Sequence, residues 1–326
     1  MRVGDVGERA VVAALRRILD VPRADVLVAN GDDAAVWLPD GAVAATVDSV
    51  VAGVDWLVGR TPPAAIGHRA AAVNLSDLAA MGARPRVLLL ALELPADTLL
   101  ADLLAAVTGL QALAAQHGAA VIGGDLGFSP GPTRWTVTAL GTLEGEAMRR
   151  DGVQPGDRLW LHGTVGQAAL GLAALQAGDA QPDLIARHLW PEPLVAVGQQ
   201  LRAAGVRAAI DISDGLGLDA ARLAAASGVD LHLALAQPRW LTPALAGWLA
   251  KRDLDWRAAM AAGGDDYALL CAAPPDRDLA PLGAVPVGGA VAGTGQVALR
   301  IADVACAIGG FSHFAGGGTG APRDLT

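Results

Sequence analysis

The sequence predicts a two-domain protein of mixed helices and strands whose C-terminal half is α/β. Three observations carry this reading. At 326 residues the chain is long for a single core and suits two domains. Helical stretches alternate with short apolar runs along its length. Between the halves lies RRDGVQPGD (149–157), polar and rich in Gly and Pro as domain junctions are. The domains are therefore expected at 1–148 and 149–326.

In order, residues 7–19 (GERAVVAALRRIL) set apolar side chains at helical spacing, and DVLVAN (25–30) is a strand leading into Gly31-Asp32-Asp33. Ala42 to Asp48 is a second strand ending in an acid. Pro62-Pro63 open an Ala-rich helix to about Met81, which Gly82 and Pro85 close. A strand from Arg86 to Leu94, a helix from about Asp97 to His117 and a short strand then deliver Gly123-Gly124-Asp125, and Trp135 to Leu143 is one more strand. The second half places helices at 166–177, 192–204, 216–227 and 241–252 among strands at 158–161, 207–212, 229–234, 267–272 and 284–288, the alternation of an α/β domain. No repeat of fixed period is visible, and AGGGTG (315–320) reads as a frayed tail.

Composition narrows the function. With 53% hydrophobic and 17% charged residues the chain can bury packed interiors and is not disordered. Thirty-three acids against 24 bases, a net charge of −9, argue against a nucleic-acid partner. Anionic nucleotides are still compatible if divalent cations stand between carboxylates and phosphates. Cys271 and Cys306 give neither a disulfide framework nor a CxxC pair, so a reducing cytoplasm is expected. MRVGDVGERA has no apolar stretch of the signal-peptide kind, and Leu99 to Ile122 is broken by Gln111, Gln116 and His117, so no membrane span is expected.

A single Asp beside Gly is ordinary turn chemistry. Here, however, Asp32-Asp33, Asp48, Asp125, Asp211 and Asp214 each follow an apolar, strand-like run, and strand ends are where α/β proteins collect ligands. Carboxylates converging there would repel one another unless cations neutralise them, and hard oxygen donors select Mg²⁺. Asp77 differs: it lies inside the helix AAAVNLSDLAAMG, three residues after Asn74, on a face that either meets solvent or feeds a polar site. The chain has no GxxxxGK[ST] loop, no HRD or DFG set, no HExxH and no GxSxG. The glycine pairs at 123–124 and 263–264 can bring backbone close to phosphates, whereas 288–289 reads as a turn.

GDDAAVW, TVDSVVAG, AAVNLSDLAAMGARP, VIGGD, RRDGVQPGD, DISDGLGLD, GGDDYALL and GGFSHF, in this order, resemble the thiamine-monophosphate kinases and, more distantly, the aminoimidazole-ribonucleotide-synthetase superfamily. The resemblance spans nearly the whole chain. It implies an N-terminal α+β domain that binds ATP and magnesium and whose sheet pairs with a second subunit in a homodimer, followed by a C-terminal α/β domain. Carried over position by position, Asp33, Asp48, Asp77, Asp125 and Asp211 would be metal ligands, and Asp214 would hold a further ion. Thr46 and Val47 would lend metal contacts, Val47 only through its carbonyl. Gly124, Asp125, Arg150 and Ser213 would touch ATP, with Asp77, Asp125 and Asp211 at the reaction centre. Asp55, Asp265 and Phe311 would line the acceptor pocket.

The implied reaction is in-line transfer of the ATP γ-phosphoryl group to thiamine monophosphate without a phosphoenzyme, chemistry that consists of positioning and charge neutralisation. The chain departs from the family pattern near the acceptor: Asp55 replaces the His of GVHF or GNHF, GGDDYA replaces GGEDYE at Asp265 and Ala268, and Leu126 replaces Thr after GGD. Asp55 either faces the cationic thiamine ring or recruits another cation, or the pocket has changed its acceptor, or Asp55 turns to solvent. Two alternatives stand beside this reading: another ATP-dependent enzyme of the superfamily with a different small phosphorylated acceptor, and a catalytically silent nucleotide-binding subunit, against which the full set of acids argues.

Overall fold

The computed structural model describes residues 1–311, and AGGGTG lies outside them. The chain divides into two compact units, Met1–Leu78 with Ala83–Glu146, and Ala79–Gly82 with Ala147–Thr326, the latter described up to 311.

The first unit runs α1 (Val3–Val6), α2 (Glu8–Leu19), β1 (Val26–Val28), β2 (Val36–Trp37), β3 (Ala42–Val51), α3 (Pro63–Ala80), β4 (Arg84–Leu94), α4 (Leu100–Gln116), β5 (Ala120–Phe128) and β6 (Arg134–Leu143). Strands β1 and β2 pair alone, and the others form a four-stranded sheet in the order β3-β6-β4-β5, parallel only between β4 and β5. Strand period sorts the side chains of β4: Leu88, Leu90, Leu92 and Leu94 are buried, while Leu89 and Glu93 are exposed. Helices α3 and α4 add buried Leu75, Leu78, Val107 and Leu110 to the interior.

Two expectations change here. Pro85 does not close the preceding helix from outside but sits within β4, beside a register shift against β6 that accommodates its missing N–H. Asp48 and Asp125 are not at strand ends: β3 continues to Val51 and β5 to Phe128, so both acids lie inside outer strands. Their runs do not stop where the acids appear, because an outer strand can carry a polar side chain at its edge.

The second unit runs β7 (Arg158–His162), α5 (Gln167–Ala177), α6 (Pro182–Leu189), α7 (Val195–Ala203), β8 (Ala208–Asp211), α8 (Leu216–Ser227), β9 (Val229–Leu235), α9 (Pro243–Lys251), α10 (Trp256–Ala262), β10 (Leu269–Ala273), β11 (Val285–Ala292), β12 (Val297–Ile301) and β13 (Val304–Cys306). Its seven-stranded sheet has the order β13-β12-β9-β11-β7-β10-β8, and every pairing is antiparallel except β9 with β12. Helices and strands alternate as expected, but the sheet is mixed and not the parallel sheet of consecutive βαβ units. Its inner strands are buried on both faces: Leu159 and Leu161 join one core cluster and Trp160 the other, as do Leu270 and Cys271 of β10. This two-sided burial is why these strands read as unbroken apolar runs.

Candidate functional site

In the first unit the candidate residues form two groups. At β3 and α3, Thr46 Oγ1 donates to Asp77 Oδ2 at 2.5 Å, and the Asp48 N–H donates to Asn74 Oδ1 at 3.1 Å. Asn74 is fully buried and its Nδ2 donates to Ala70 O at 3.1 Å. The face that Asn74 and Asp77 share therefore meets β3 rather than solvent, and a buried amide with both its oxygen and its nitrogen engaged fixes the helix against the strand. Because the Asp48 N–H points out of the ladder, the alternation of an antiparallel strand turns the N–H and C=O of Val47 toward β6. The Val47 side chain, 59% exposed, offers no oxygen.

The second group lines a cleft of about 820 Å³ that includes Asp33, Gly124, Asp125 and Leu126. Asn30 Nδ2 donates to Val121 O at 3.1 Å, which ties the acidic loop to β5, and within the loop the Asp33 N–H donates to Asp32 Oδ1 at 2.9 Å. A Cβ on Gly124 would lie 1.9 Å from Leu90 O, so only glycine lets β5 run this close to β4 past the shift between Leu88 and Leu89. Asp48 stands opposite Val137, Val137 opposite Leu90, and Leu90 opposite Gly124. The two groups thus occupy one level of the sheet on its opposite outer strands, about 14 Å apart along it at three strand spacings. Among the described residues, no three His, Cys, Asp or Glu side chains stand where they could hold a metal ion together.

Asp55 is in neither group. Its Oδ2 accepts the Val51 N–H at 2.7 Å, and its own N–H donates to Val51 O at 2.9 Å, closing the turn that ends β3.

In the second unit, Asp211 ends β8 and is buried. The loop after it is organised by Asp219, whose Oδ2 accepts the N–H groups of Ser213 (3.0 Å), Asp214 (3.0 Å) and Gly215 (3.2 Å). Arg222 pairs with Asp219 Oδ1 through Nη1 and with Asp214 Oδ2 through Nη2, each at 2.6 Å. Burial pushes the Asp219 carboxyl above its ordinary range, opposed by the Asp214 N–H and the Arg222 charge. Gly215 adopts φ 123°, and a Cβ there would lie 2.8 Å from Ala262 backbone, which accounts for the glycine of DISDG.

The GGDDY segment is bonded to this loop. Asp265 N–H donates to Ser213 O and Tyr267 N–H to Ile212 O, both at 2.9 Å. Asp265 and Tyr267 are buried and hold φ of 68° and 50°, conformations that side chains rarely adopt and that recur at functional sites. The Tyr267 hydroxyl donates to Asp265 Oδ1 at 3.3 Å. The Phe311 N–H donates to Asp214 O at 2.9 Å. Asp266 instead caps α5, accepting from Gly166 N (2.6 Å) and Ala168 N (3.1 Å). Arg150 is exposed; Ser227 Oγ donates to its carbonyl at 2.7 Å, and its guanidinium makes no ion pair among the described residues, whereas neighbouring Arg149 pairs with Asp151.

The family model for AIR synthase related protein, N-terminal domain, matches residues 31–143, which contain both acid groups of the first unit. Thiamine-monophosphate kinase of Mycobacterium tuberculosis is 36% identical over 273 residues, 81% of this chain and 80% of that protein. The chain belongs to the thiamine-monophosphate kinase family. The crystal structure of thiamine-monophosphate kinase from Stenotrophomonas maltophilia K279a superposes with a TM-score of 0.77 at 36% identity, covering 92% of this chain and 98% of that one. AaThiL complexed with AMPPCP and TMP does so with a TM-score of 0.74 at 25% identity, covering 96% and 99%.

In this member of the thiamine-monophosphate kinase family, two residues escaped the sequence reading as parts of the site, Asp219 as the organiser of the 211–215 loop and Tyr267 as the partner of Asp265, while Asn74 was legible only as sharing a face with Asp77. Asp219 carried a signal. It lies four residues after Gly215 within the first turn of a helix, where a carboxylate meets free backbone N–H groups.

Proposed function

We propose that this chain transfers the γ-phosphoryl group of ATP in line to thiamine monophosphate, giving thiamine diphosphate and ADP. The observation that carries the reading is the bonding of the 211–215 loop, proposed to serve the nucleotide, to Asp265 and Phe311, proposed to face the acceptor. The complex of AaThiL with AMPPCP and TMP supports it from the side of a relative.

The donors fit magnesium in kind. Asp33, Thr46, Asp48, Asp77 and Asp125 in the first unit, and Asp211 and Asp214 in the second, offer hard oxygens. Magnesium is usually held by one or two carboxylates with phosphate and water completing the shell, so separate carboxylates suit a nucleotide-borne ion better than an all-protein cage. When bound, such ions neutralise charge on the transferring phosphoryl group. Val47 adds no side-chain ligand. Thr46 holds Asp77 in one rotamer through its hydroxyl, and Gly124 leaves backbone exposed beside Asp125. Arg150 presents a guanidinium matched to phosphate oxygens.

A homodimer through the first unit is part of the same proposal. Both outer strands of the four-stranded sheet lack a further strand partner among the described residues, and Val43, Val47 and Leu89 expose 46%, 59% and 37% of their surface on it. Unpaired edges with exposed apolar residues favour association. Among the described residues no helix is long and apolar enough to cross a membrane, and the cytoplasm is the proposed compartment.

ADP release measured with ATP, Mg²⁺ and a panel of phosphorylated acceptors tests the assignment. Release should require thiamine monophosphate. Release with another phosphorylated acceptor but not with this one would move the chain to a different activity of its superfamily.

A further inference from the structure

We infer that Asp219 is a positioning residue that sets the nucleotide side and the acceptor side of the proposed kinase site at once, through the backbone of the 212–215 loop. The inference rests on the assignment of thiamine monophosphate and ATP made above.

One short segment, residues 212–215, carries bonds to both sides. Its N–H groups at Ser213, Asp214 and Gly215 all converge on a single oxygen of Asp219, at 3.0, 3.0 and 3.2 Å. Its carbonyls point the other way: Ser213 O accepts Asp265 N–H and Asp214 O accepts Phe311 N–H, both at 2.9 Å. Three consecutive donors on one acceptor hold the loop in one backbone arrangement, because releasing Asp219 would take the acceptor from two half-buried N–H groups and one buried one. On that loop the side chain of Ser213 is the proposed ATP contact and that of Asp214 a proposed ligand of a metal ion, and Asp265 and Phe311 are the proposed acceptor contacts. Displacing the loop therefore displaces both sets together.

Arg222 completes the device. It joins the second oxygen of Asp219, 1% exposed, to the carboxylate of Asp214. Both oxygens of Asp219 are thus engaged as acceptors, one by the three loop N–H groups and the other by the Arg222 guanidinium. No substrate contact by Asp219 itself is needed.

Asp219→Asn and Asp219→Ala test this. The asparagine keeps an acceptor oxygen and loses the charge; the alanine loses both. Since a misplacement of about 1 Å costs about a hundredfold in rate, Asp219→Asn should lower kcat about tenfold and raise the KM values for ATP and thiamine monophosphate together by about fivefold or more, with larger changes in Asp219→Ala. Hydrogen exchange of the ligand-free protein should quicken at the amides of 213–215, 265 and 311 while β9 and β11 keep their protection. Arg222→Gln, at a side chain 39% exposed, should give the same paired change at smaller size and keeps the test readable if neither Asp219 variant folds.

A variant with a lowered unfolding midpoint but unchanged kcat and KM values would make Asp219 merely structural and overturn the inference. So would a change confined to one substrate, or unaltered exchange at 265 and 311. Wild-type protein that makes no thiamine diphosphate would count against the proposed function, whereas the exchange experiment judges the coupling independently of the acceptor.

Discussion

At the scale of single residues, Asp77 and Thr46 show how the candidate site is held. The Thr46 hydroxyl donates to Asp77 Oδ2, and Asn74 one turn earlier on the helix fixes the strand that carries Thr46. Asp77→Asn preserves the shape and one acceptor oxygen while removing the charge. Turnover should fall by about a hundredfold or more, near 3 kcal/mol in the barrier, with the unfolding midpoint little changed. Steady-state kinetics beside thermal denaturation checks this. Asp55 should behave in the opposite way, since its carboxylate accepts the Val51 N–H at the end of β3. Asp55→Ala should cost about 1–2 kcal/mol of stability by urea titration, and Asp55→Asn, which keeps an acceptor, distinctly less. The sequence placed Asp55 beside the acceptor because it occupies the position of a family histidine; the turn bond depends on Asp being short enough to reach back four residues, which no motif records.

At the scale of elements, the first unit carries a pH-dependent tie. Asp25, just before β1, is hydrogen-bonded through both oxygens to Arg23 (3.0 and 2.8 Å) and pairs with Arg86 of β4 at 2.6 Å. The Arg23 hydrogen bonds first, then the charges of Arg23 and Arg86, lower its carboxyl to about 2 against the penalty of burial. A depressed folded value means that the stabilisation is whole above the unfolded carboxyl value of about 4 and is lost as pH falls toward the folded one. Urea midpoints should therefore drop between about pH 4 and pH 2, and Asp25→Asn should flatten part of that drop.

The same scale shows what the sequence makes legible. Helices with clear start and stop chemistry were readable, such as α3 opened by its prolines and α8 following DISDG. So were the doubly buried strands of the second unit. The positions of Asp48 and Asp125 within strands were not, because a polar residue in an outer strand looks like a terminator when only the run is visible. Helix α6 was also missed. Its Pro182 at the first turn and buried Leu184, His188 and Leu189 fit a helix, but eight residues show barely two turns of period. Strands β12 and β13 are shorter still, and β12 finds its partner β9 over a long sequence separation. Of the site, the acid types were legible and their grouping was not, because grouping depends on the cross-strand register that sets Asp48 level with Gly124.

At the scale of the whole molecule, the chain belongs to the thiamine-monophosphate kinase family and its proposed chemistry is phosphoryl transfer to thiamine monophosphate. Light scattering at micromolar concentration should give twice the chain mass, since the outer strands of the first unit have no further strand partner among the described residues. A monomer would remove the second copy from the proposal. A net charge of −9 on a protein meant to take two anionic substrates makes divalent cations the natural intermediaries, so nucleotide binding should weaken sharply when Mg²⁺ is removed with a chelator. The central claim is the transfer itself, and ³¹P NMR of the purified protein with ATP, Mg²⁺ and thiamine monophosphate follows it directly. The account predicts that the monophosphate signal declines as the paired signals of thiamine diphosphate and those of ADP grow in equal amounts. An unchanged monophosphate signal, under conditions where Mg²⁺-dependent ATP binding is demonstrated, would contradict it.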